Sequence, residues 1–502
     1  MKSPEIDRRA LLRAATLTAG SLAVAPMLGG TAWAGTSTQS PDSNPGPGPS
    51  PSGASGLPKP SPSALRRMAA DDAAADRIVR GIQLPRIPPR EVSVLDFGAV
   101  PDGTTDNTAA FAAAIAALAR RGGGRVVVPA ARGKGAAAYF TGPIHLESRI
   151  DLHVESGATI LFNTDPNSCL PTVYTRWQGI ECYNYSPLIY AYGKQDVAVT
   201  GGGVLDGQAS AGNWWAWKNL ETPGFNLLQE WADDDVPVAQ RQLGNGYYLP
   251  PTFIEPYSCQ RVLIQGVTFQ NSPFWHVHPT LCDDVTIQGV TVQSTGPNTD
   301  GCDPECCDGV FIDRMTFNTG DDCIALKSGR NADGRRVNVP SQNVVIQRSS
   351  FANGHGVVTI GSEMTGGVKN VYARDLTVTS TGLQAGHRIK TNSVRGGYVL
   401  NSNVYRVAAT TIGGPVLLID YYYDEGDTGT FYPDVTDVNL VDWGIGSATQ
   451  GWDAAGYPED HIGTLLMQDV AIGSTSAANL AEDVNDFELI DVTIGGVPVT
   501  SA

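Results

Sequence analysis

Four short polar motifs follow apolar stretches in the second half of this chain. They read Asn298-Thr-Asp300-Gly, Gly-Asp321-Asp322, Gly-His355-Gly and Arg388-Ile-Lys390. Carboxyl groups beside an imidazole and fixed cations are suited to acid–base hydrolysis of a glycosidic bond, in which one carboxyl group protonates the leaving oxygen and another activates water. Each motif alone also fits an ordinary solvated turn. The chemistry therefore depends on whether the fold brings the motifs together.

A repeat in the sequence predicts how they meet. Clear copies begin at Cys259, Cys282, Cys307 and Ser341, with looser copies near Lys194 and Val368, and their spacing runs from 23 residues (259 to 282) to 34 residues (307 to 341). Alternating apolar and polar residues predict two short strands per copy, each with one buried face. Copies of this length without helices between them indicate an all-β solenoid of parallel β-helix type.

Stacked coils place equivalent residues about 4.8 Å apart. We therefore expect Cys259, Cys282 and Cys307 to form a ladder of buried thiols, with disulfides as the open alternative. The same register puts the polar motifs on adjacent coils of one face. One coil plus side-chain reach fits the gap of about 6.5–9.5 Å between the carboxyl groups of an inverting glycosidase.

The overall charge is acidic, with 34 Lys+Arg against 51 Asp+Glu and a formal net charge of −17. This balance argues against a nucleic-acid partner. Arg388, Lys390 and His355 would supply a local attraction for a carboxylated sugar. The same residues would oppose a hard cation among the aspartates, so metal binding ranks second, and we expect no metal or other cofactor.

The N-terminus has the features of an export signal. Arg8 and Arg9 precede an apolar run, and Ala32-Trp-Ala34 has the form of a cleavage site, so we predict a twin-arginine-like signal peptide over 1–34. Residues 35–90 comprise a Pro/Ser/Gly-rich linker, to about residue 65, and a stretch left unassigned. Residues 91–502 form the predicted catalytic domain.

A short Ala-rich helix over 106–121 is predicted to cover the open end of the solenoid. Phe111, Ile115 and Leu118 share one of its faces. Thr105 or Asp106 would cap its start, and Gly122 would end it.

The ordered set of motifs resembles glycoside hydrolase family 28, the polygalacturonases, from about residue 91 to near the end of the chain. The resemblance implies a right-handed parallel β-helix that hydrolyses α-1,4 galacturonosyl bonds of pectin with inversion and without metal. It implies roles for the motif residues: Asp321 as general acid, Asp300 and Asp322 as activators of water, His355 as support for the site, Arg388 and Lys390 as ligands of the substrate carboxylate, and Asn298 as a group that orients its neighbours or the sugar.

Three features depart from this pattern. The substrate-binding Tyr of fungal endo-acting members is missing before the strand at 414–419, and Tyr421 to Tyr423 are candidates to compensate. Cys323 lacks a cysteine partner before Gly354, so its usual disulfide is not expected. An insertion over 208–249 is rich in tryptophan and either caps the core or walls the cleft; its tryptophans are Trp214, Trp215, Trp217 and Trp231. Together with residues 271–278 it resembles bacterial exo-acting members, which favours exo action.

Other interpretations stay open from sequence. A pectate-lyase-like, calcium-dependent eliminase shares the fold, and so does a non-catalytic carbohydrate-binding or adhesive solenoid. A rhamnogalacturonan or xylogalacturonan hydrolase would share the site. We expect a secreted protein whose partner is a pectic polysaccharide, with no stable membrane association after signal removal. The oligomeric state is left open, with a monomer as the expectation.

Overall fold

A computed structural model describes residues 59–131, 137–380 and 382–502. The export segment 1–34 and the linker to residue 58 lie outside the described residues, so these predictions and the domain boundaries stay predictions. Across the described ranges, no helix is both long enough and apolar enough to cross a bilayer.

The chain winds into coils whose strands stack in parallel on three faces. Val262, Val285, Val310 and Val344 stand in register on successive coils, as the repeat predicts. Their side chains point inward, and each is at most 2% exposed. The fold is a parallel β-helix, because each coil hydrogen-bonds only to the coils above and below it.

The first face carries the first strand of each repeat. Its strands are Glu91–Ser93, Gly124–Val128, Ile150–Val154, Gln195–Gly201, Gln260–Gln265, Asp283–Gln288, Asp308–Asp313, Ser341–Gln347, Val368–Val378, Tyr398–Asp420, Asp434–Ala455, Ile462–Ile472 and Val484–Ile490.

The second face follows after a bend. Its strands are Asp102–Asp106, Ala137–Thr141, Ala158–Phe162, Val204–Asp206, Thr268–Gln270, Thr291–Ser294, Thr316–Thr319, Ser350–Asn353 and Val492–Ile494, with Val497–Val499 antiparallel to the last. The long strand Val368–Val378 continues from the first face onto this one.

The third face, which we call the cleft face, holds the polar motifs. Its strands are Ile144–His145, Ile189–Tyr192, Ile254–Tyr257, Ala325–Leu326, Gly356–Gly361, Ala385–Lys390 and Leu480–Glu482, joined by single bridges at residues 277–280 and 302–305. The ends of Tyr398–Asp420 and Asp434–Ala455 complete it. A hairpin, Val173–Trp177 with Ile180–Asn184, projects from an early coil.

The cysteine ladder is confirmed as buried thiols. Cys259, Cys282 and Cys307 are at most 1% exposed, and the thiol of Cys282 donates to the carbonyl of Pro256 at 3.1 Å. All eight cysteines of the chain are free and buried, Cys323 among them. These thiols act as small apolar side chains of the core.

The capping helix is the second helix of the described chain and is labelled α2. It covers Thr108–Ala119 and buries Phe111, Ile115 and Leu118 as predicted. Its start differs from expectation, because Asn107 is the N-cap and its side chain donates to the carbonyl of Phe140 instead of capping the helix. Asp106 still accepts the amide of Thr108 at 2.9 Å. Gly122 follows the helix in the left-handed region, with φ 86°.

A helix, α1, covers Pro62–Gly81, so it begins within the last residues of the predicted linker and fills most of the stretch left unassigned. It lies across the first face and buries Met68 in an apolar cluster with Tyr372 and Tyr405. Asp72 of the helix lies 2.7 Å from Arg374 and 3.0 Å from Arg406. The helix therefore packs on the solenoid through both apolar and ionic contacts.

Two further helices flank the cleft face. Helix α3 is Thr222–Asp233, inside the Trp-rich insertion, and α4 is Asn331–Val337, after the coil that carries Asp321 and Asp322. Short 3-10 turns occur at Val94–Phe97, Pro166–Cys169, Trp214–Asn219 and Val238–Gln240.

Candidate active site

The three motif aspartates converge as the register predicts. Oxygens of Asp300, Asp321 and Asp322 all lie within 4.8 Å of one another. The carbonyl of Asp322 accepts the amide of Gly301 at 2.9 Å, so adjacent coils fix the aspartates side by side.

Asp322 is held by both motif cations. Its carboxylate accepts from Nζ of Lys390 at 2.7 Å and from Arg388 at 3.3 Å, and the hydroxyl of Thr359 donates to it at 2.9 Å. Burial would raise the pKa of Asp322, but the charges of Lys390 and Arg388 outweigh burial and lower it. Asp322 is therefore an ionised, fixed carboxylate in the free site.

Asp321 pairs with His355. Nδ1 of His355 lies 2.9 Å from Oδ1 of Asp321, and the two side chains are 35% and 19% exposed. Burial opposes ionisation of Asp321, but the hydrogen bond and charge of His355 hold the pKa of Asp321 well below its usual range. Burial likewise lowers the pKa of His355, yet contact with Asp321 raises it overall. The pair thus stores its proton on the imidazole.

Asp300 lies in a different environment. Burial and the negative charges of Asp321 and Asp303 raise the pKa of Asp300 well above its ordinary value. Its Oδ1 is buried and has no hydrogen-bond partner among the described residues. Neighbouring carboxyl groups whose pKa values are driven apart are typical of acid–base sites.

Asn298 lies beside these groups in a left-handed conformation, with φ 52°. Its Oδ1 is also buried without a hydrogen-bond partner in the part of the chain that the structure describes. An unsatisfied acceptor of this kind is suited to a donor brought by a ligand. The motif residues named from sequence are therefore all at or beside one centre.

Sequence reasoning missed Lys327. Its Nζ lies 3.1 Å from Glu363, 3.6 Å from Asp303 and 3.8 Å from Asp300, and 4.2 Å above the ring of Trp275. It is 2% exposed. The sequence signal that could have identified it is a lysine directly after the apolar run that follows Asp322. Lysine is almost never fully buried without a charged partner, so a lysine in that position predicts nearby carboxylates.

Buried charges also lie under the N-terminal part of the cleft face. His278 lies 2.8 Å from Glu305 and 3.7 Å from Glu255, and all three side chains are fully buried. Burial lowers the pKa of His278, but the two glutamates raise it to about 9. Arg176 of the hairpin lies 2.9 Å from Glu305. Sequence reasoning missed these residues as well.

The hairpin covers this region. Its Thr175 donates to Glu255 at 2.7 Å, and a Cβ on Gly179 at its tip would come within 2.8 Å of the amide nitrogen of Arg330. Trp177 stacks on Phe274, and Phe274 stacks on Trp275, at 5.2 and 5.1 Å between ring centroids. A column of rings therefore connects the hairpin to Lys327 beside Asp300.

The Trp-rich insertion serves both of the roles left open from sequence. Trp214 is 1% exposed in the main core, whereas Trp231 packs against a second apolar cluster around Trp177 and Leu228. The indole of Trp215 donates to the carbonyl of Ser272 at 2.9 Å and lies against Gly296, where a Cβ would clash with it. The insertion thus caps the core and walls the cleft next to Asn298.

The cleft face is closed at one end. Outer positions N-terminal to Asp300 are fully buried: Glu255, His276 and His278 are each 0% exposed. On the other side, His355 is partly exposed and Tyr423 is half-buried. The ring of Tyr423 lies 5.1 Å from Nζ of Lys390. Of the three tyrosines considered as replacements for the missing one, Tyr423 is the one that reaches Lys390 and Arg388.

The aspartate cluster has donor atoms that could hold a metal ion. Lys390, Arg388 and Lys327 lie within 4 Å of its carboxylates. Three fixed positive charges at this distance repel a metal cation that enters the aspartate cluster. The donor set is therefore better suited to substrate and water than to a divalent metal.

Comparison with known proteins agrees with this geometry. The family described as Glycosyl hydrolases family 28 matches residues 124–458. A probable polygalacturonase of Vitis vinifera is 30% identical over 414 residues, 79% of this chain and 77% of that protein. An endo-polygalacturonase of Pectobacterium carotovorum subsp. carotovorum is 28% identical over 62% of this chain and 72% of that protein.

Similarity extends to solved structures. The crystal structure of a hyperthermoactive exopolygalacturonase from Thermotoga maritima matches with a TM-score of 0.80 and 38% identity, covering 85% of this chain and 96% of that one. The sequence motifs, their convergence and these matches lead to one conclusion: the chain belongs to glycosyl hydrolases family 28.

Proposed function

We propose that this protein is a polygalacturonase that hydrolyses α-1,4 galacturonosyl bonds of pectin and acts from a chain end. The observation that carries the proposal is the convergence of Asp300, Asp321 and Asp322 within 4.8 Å beside Lys390 and Arg388. Acidic groups for hydrolysis and basic groups for a uronate carboxylate then occur in one cleft.

The proposed reaction divides the work among these groups. Asp321 protonates the leaving oxygen with a proton drawn from His355, 2.9 Å away. As the bond from the anomeric carbon to that oxygen breaks, water held by Asp300 and Asp322 adds from the opposite face. The ionised Asp322 takes the proton of the water. Inversion at the anomeric carbon follows from this single displacement.

Arg388 and Lys390 have a double role in this proposal. Both hold Asp322, and Nε of Arg388 has no hydrogen-bond partner among the described residues. A guanidinium with a spare donor can also bind a substrate carboxylate. Asn298, with its buried free acceptor, would accept a hydroxyl of the sugar.

Exo action is supported by the closed end of the cleft. The hairpin and insertion bury the outer positions of the coils before Asp300, so a polymer has no room to continue there. The terminal sugar would sit against this wall, and the remaining chain would run over the open side past Lys390. Both exo- and endo-acting relatives exist, so the direct test is the product pattern.

The experiment is a time course of polygalacturonate digestion with product lengths resolved. Monomer or dimer as the sole early product is expected, whereas an early ladder of oligomers would contradict exo action. Rhamnogalacturonan and xylogalacturonan serve as alternative substrates. If the enzyme releases sugar faster from either of these polymers than from homogalacturonan, that polymer becomes the proposed substrate.

The calcium-dependent eliminase makes a separate prediction. Elimination gives an unsaturated product that absorbs in the ultraviolet and requires calcium, whereas the proposed hydrolysis gives a saturated product and proceeds in chelator.

Secretion is proposed on the signal-like sequence over 1–34. Its test is the size and location of the protein after expression with and without Arg8 and Arg9.

A further inference from the structure

Three exposed aromatic side chains cluster at the open side of the cleft. Tyr422, Phe431 and Tyr432, which we call the aromatic patch, are 39%, 46% and 44% exposed. All three lie in the turn between strands Tyr398–Asp420 and Asp434–Ala455. Grouped exposed aromatics on a soluble protein mark a binding surface more often than isolated ones do.

The patch is held in a fixed arrangement. Tyr457 is fully buried beneath it, and its hydroxyl accepts the amide of Ser393 at 2.9 Å. The rings of Tyr422 and Tyr432 pack edge-on against Tyr457, with centroids 4.8 and 5.7 Å away. On the other side, the guanidinium of Arg335 lies 3.7 Å from the ring centroid of Phe431. Rings anchored in this way present a surface with little rotational freedom to lose on binding.

The patch is continuous with the catalytic centre. Tyr422 directly precedes Tyr423, whose ring lies 5.1 Å from Nζ of Lys390 and 5.8 Å from the guanidinium of Arg388. Since the cleft is closed on the side of Lys327, a substrate chain that extends beyond Lys390 would pass Tyr423 and continue toward this turn. The occupant that fits by position is therefore the substrate polymer itself.

The charge of the turn decides how that polymer could be held. Residues 420–434 include Asp420, Asp424, Glu425, Asp427 and Asp434 and no Lys or Arg. Arg330 and Arg395 neutralise part of this charge through Asp424 and Glu425. The turn itself carries no cation for a galacturonate carboxylate. The guanidinium of Arg335 beside Phe431 donates to the carbonyl of Val394 at 3.0 Å, and the rings of Tyr422 and Tyr432 offer apolar faces.

We infer that the aromatic patch binds the galacturonan chain on the leaving-group side of the cut, by stacking on pyranose rings and not by pairing with their carboxylates. This inference rests on the proposed function and extends it to sugars beyond the reacting bond. A surface that binds the sugar ring without contacting its carboxylate should also bind methyl-esterified units at these positions.

The test compares a short and a long substrate. Tyr422→Ala and Tyr432→Ala are assayed on digalacturonate, which has only one sugar beyond the cut, and on a long galacturonate oligomer, which has several. KM for the long oligomer should rise about three- to tenfold, the size expected for loss of one stacked ring, while kcat and KM for digalacturonate stay unchanged. A methyl-esterified oligomer should show the same rise. The rise should persist at high salt, because stacking is not screened as ion pairs are.

Leu95→Ala is the control, because Leu95 is also exposed (43%) but lies in the Val94–Phe97 turn, outside the hairpin, the insertion and the patch. It should leave both KM values unchanged. Equal losses on digalacturonate and the long oligomer, or no loss on either, would overturn the inference, and so would a rise that vanishes at high salt. A wild-type protein that releases sugar from neither substrate would instead refute the proposed function.

Discussion

Nδ1 of His355 lies 2.9 Å from Oδ1 of Asp321, and this pair faces the cleft, whereas Asp322 is fully buried on Lys390. The site thus separates a proton source at its surface from an ionised base on its floor. Two neighbouring aspartates acquire opposite tasks because one contacts an imidazole and the other two fixed cations.

Asp321→Asn should remove the group that protonates the leaving oxygen. We expect kcat to fall by about a hundredfold or more, the usual size of an acid–base contribution, with little change in thermal unfolding. The measurement is initial rate on polygalacturonate, with circular dichroism to verify folding. Asp283→Asn, which changes an exposed acid on the first face, is the control and should retain activity. A rate near wild type would remove Asp321 from the mechanism.

His355→Gln tests where the proton is stored. The pKa of His355 is raised above its ordinary value of 6.5. In the wild type, the rate should therefore hold through neutral pH and fall as pH rises through the raised pKa, when the imidazole loses its proton. The variant should be slower at all pH values and should lack this alkaline limb. An unchanged alkaline limb would assign it to another group.

Lys327→Met tests the missed lysine as a positioning residue. The positive charge of Lys327 opposes the increase in the pKa of Asp300 that burial and Asp321 produce. Without it the pKa of Asp300 rises further, and because Asp300 must be ionised to hold the attacking water together with Asp322, the active form appears only at higher pH. The acidic limb of kcat should therefore move to higher pH. Lys327→Arg keeps the charge and should restore the limb, whereas a purely structural lysine would lower stability and leave the limb in place.

His278 should make stability depend on pH. Its folded pKa of about 9 exceeds the ordinary 6.5, so protonation favours the folded state. The contribution is complete below pH 6.5 and is lost as pH rises through about 9, and the shift corresponds to roughly 3 kcal/mol. Urea unfolding across this range should show the decline. His278→Gln should be less stable and lose this dependence; an equally steep decline in the variant would contradict the assignment.

The sequence predicted the solenoid well because its information is local and repeated. Val262, Val285 and Val310 occupy the same place in each copy, so one register aligns every motif that follows. The proximity of Asp300, Asp322 and Arg388 could therefore be predicted from the sequence. The capping helix was found for a similar reason, since its apolar face needs only its own residues.

What the sequence did not predict depends on contacts between distant segments. His278 and Glu305 are ordinary polar residues until the hairpin brings Arg176 over them, and no repeat specifies where that hairpin folds. Helix α1 was missed because its buried positions include small alanines, so its apolar face is weak. Its ion pairs from Asp72 to Arg374 and Arg406 join residues about 300 positions apart.

The distances among the carboxyl groups were also beyond the reach of the sequence: one oxygen of each of Asp300, Asp321 and Asp322 lies within 4.8 Å of the others. Register fixes the backbone spacing, but side-chain direction sets the final distance. Lys390 and Arg388 draw Asp322 into place, and sequence spacing carries no information on that direction.

The most direct test of the account is the anomeric configuration of the first product, followed by proton NMR immediately after enzyme is added to an α-1,4 galacturonate oligomer. Attack by water held between Asp300 and Asp322 predicts that the β-anomer appears first and then equilibrates. Initial release of the α-anomer would mean a covalent intermediate, and an unsaturated sugar would mean elimination. Either result would contradict the proposed mechanism.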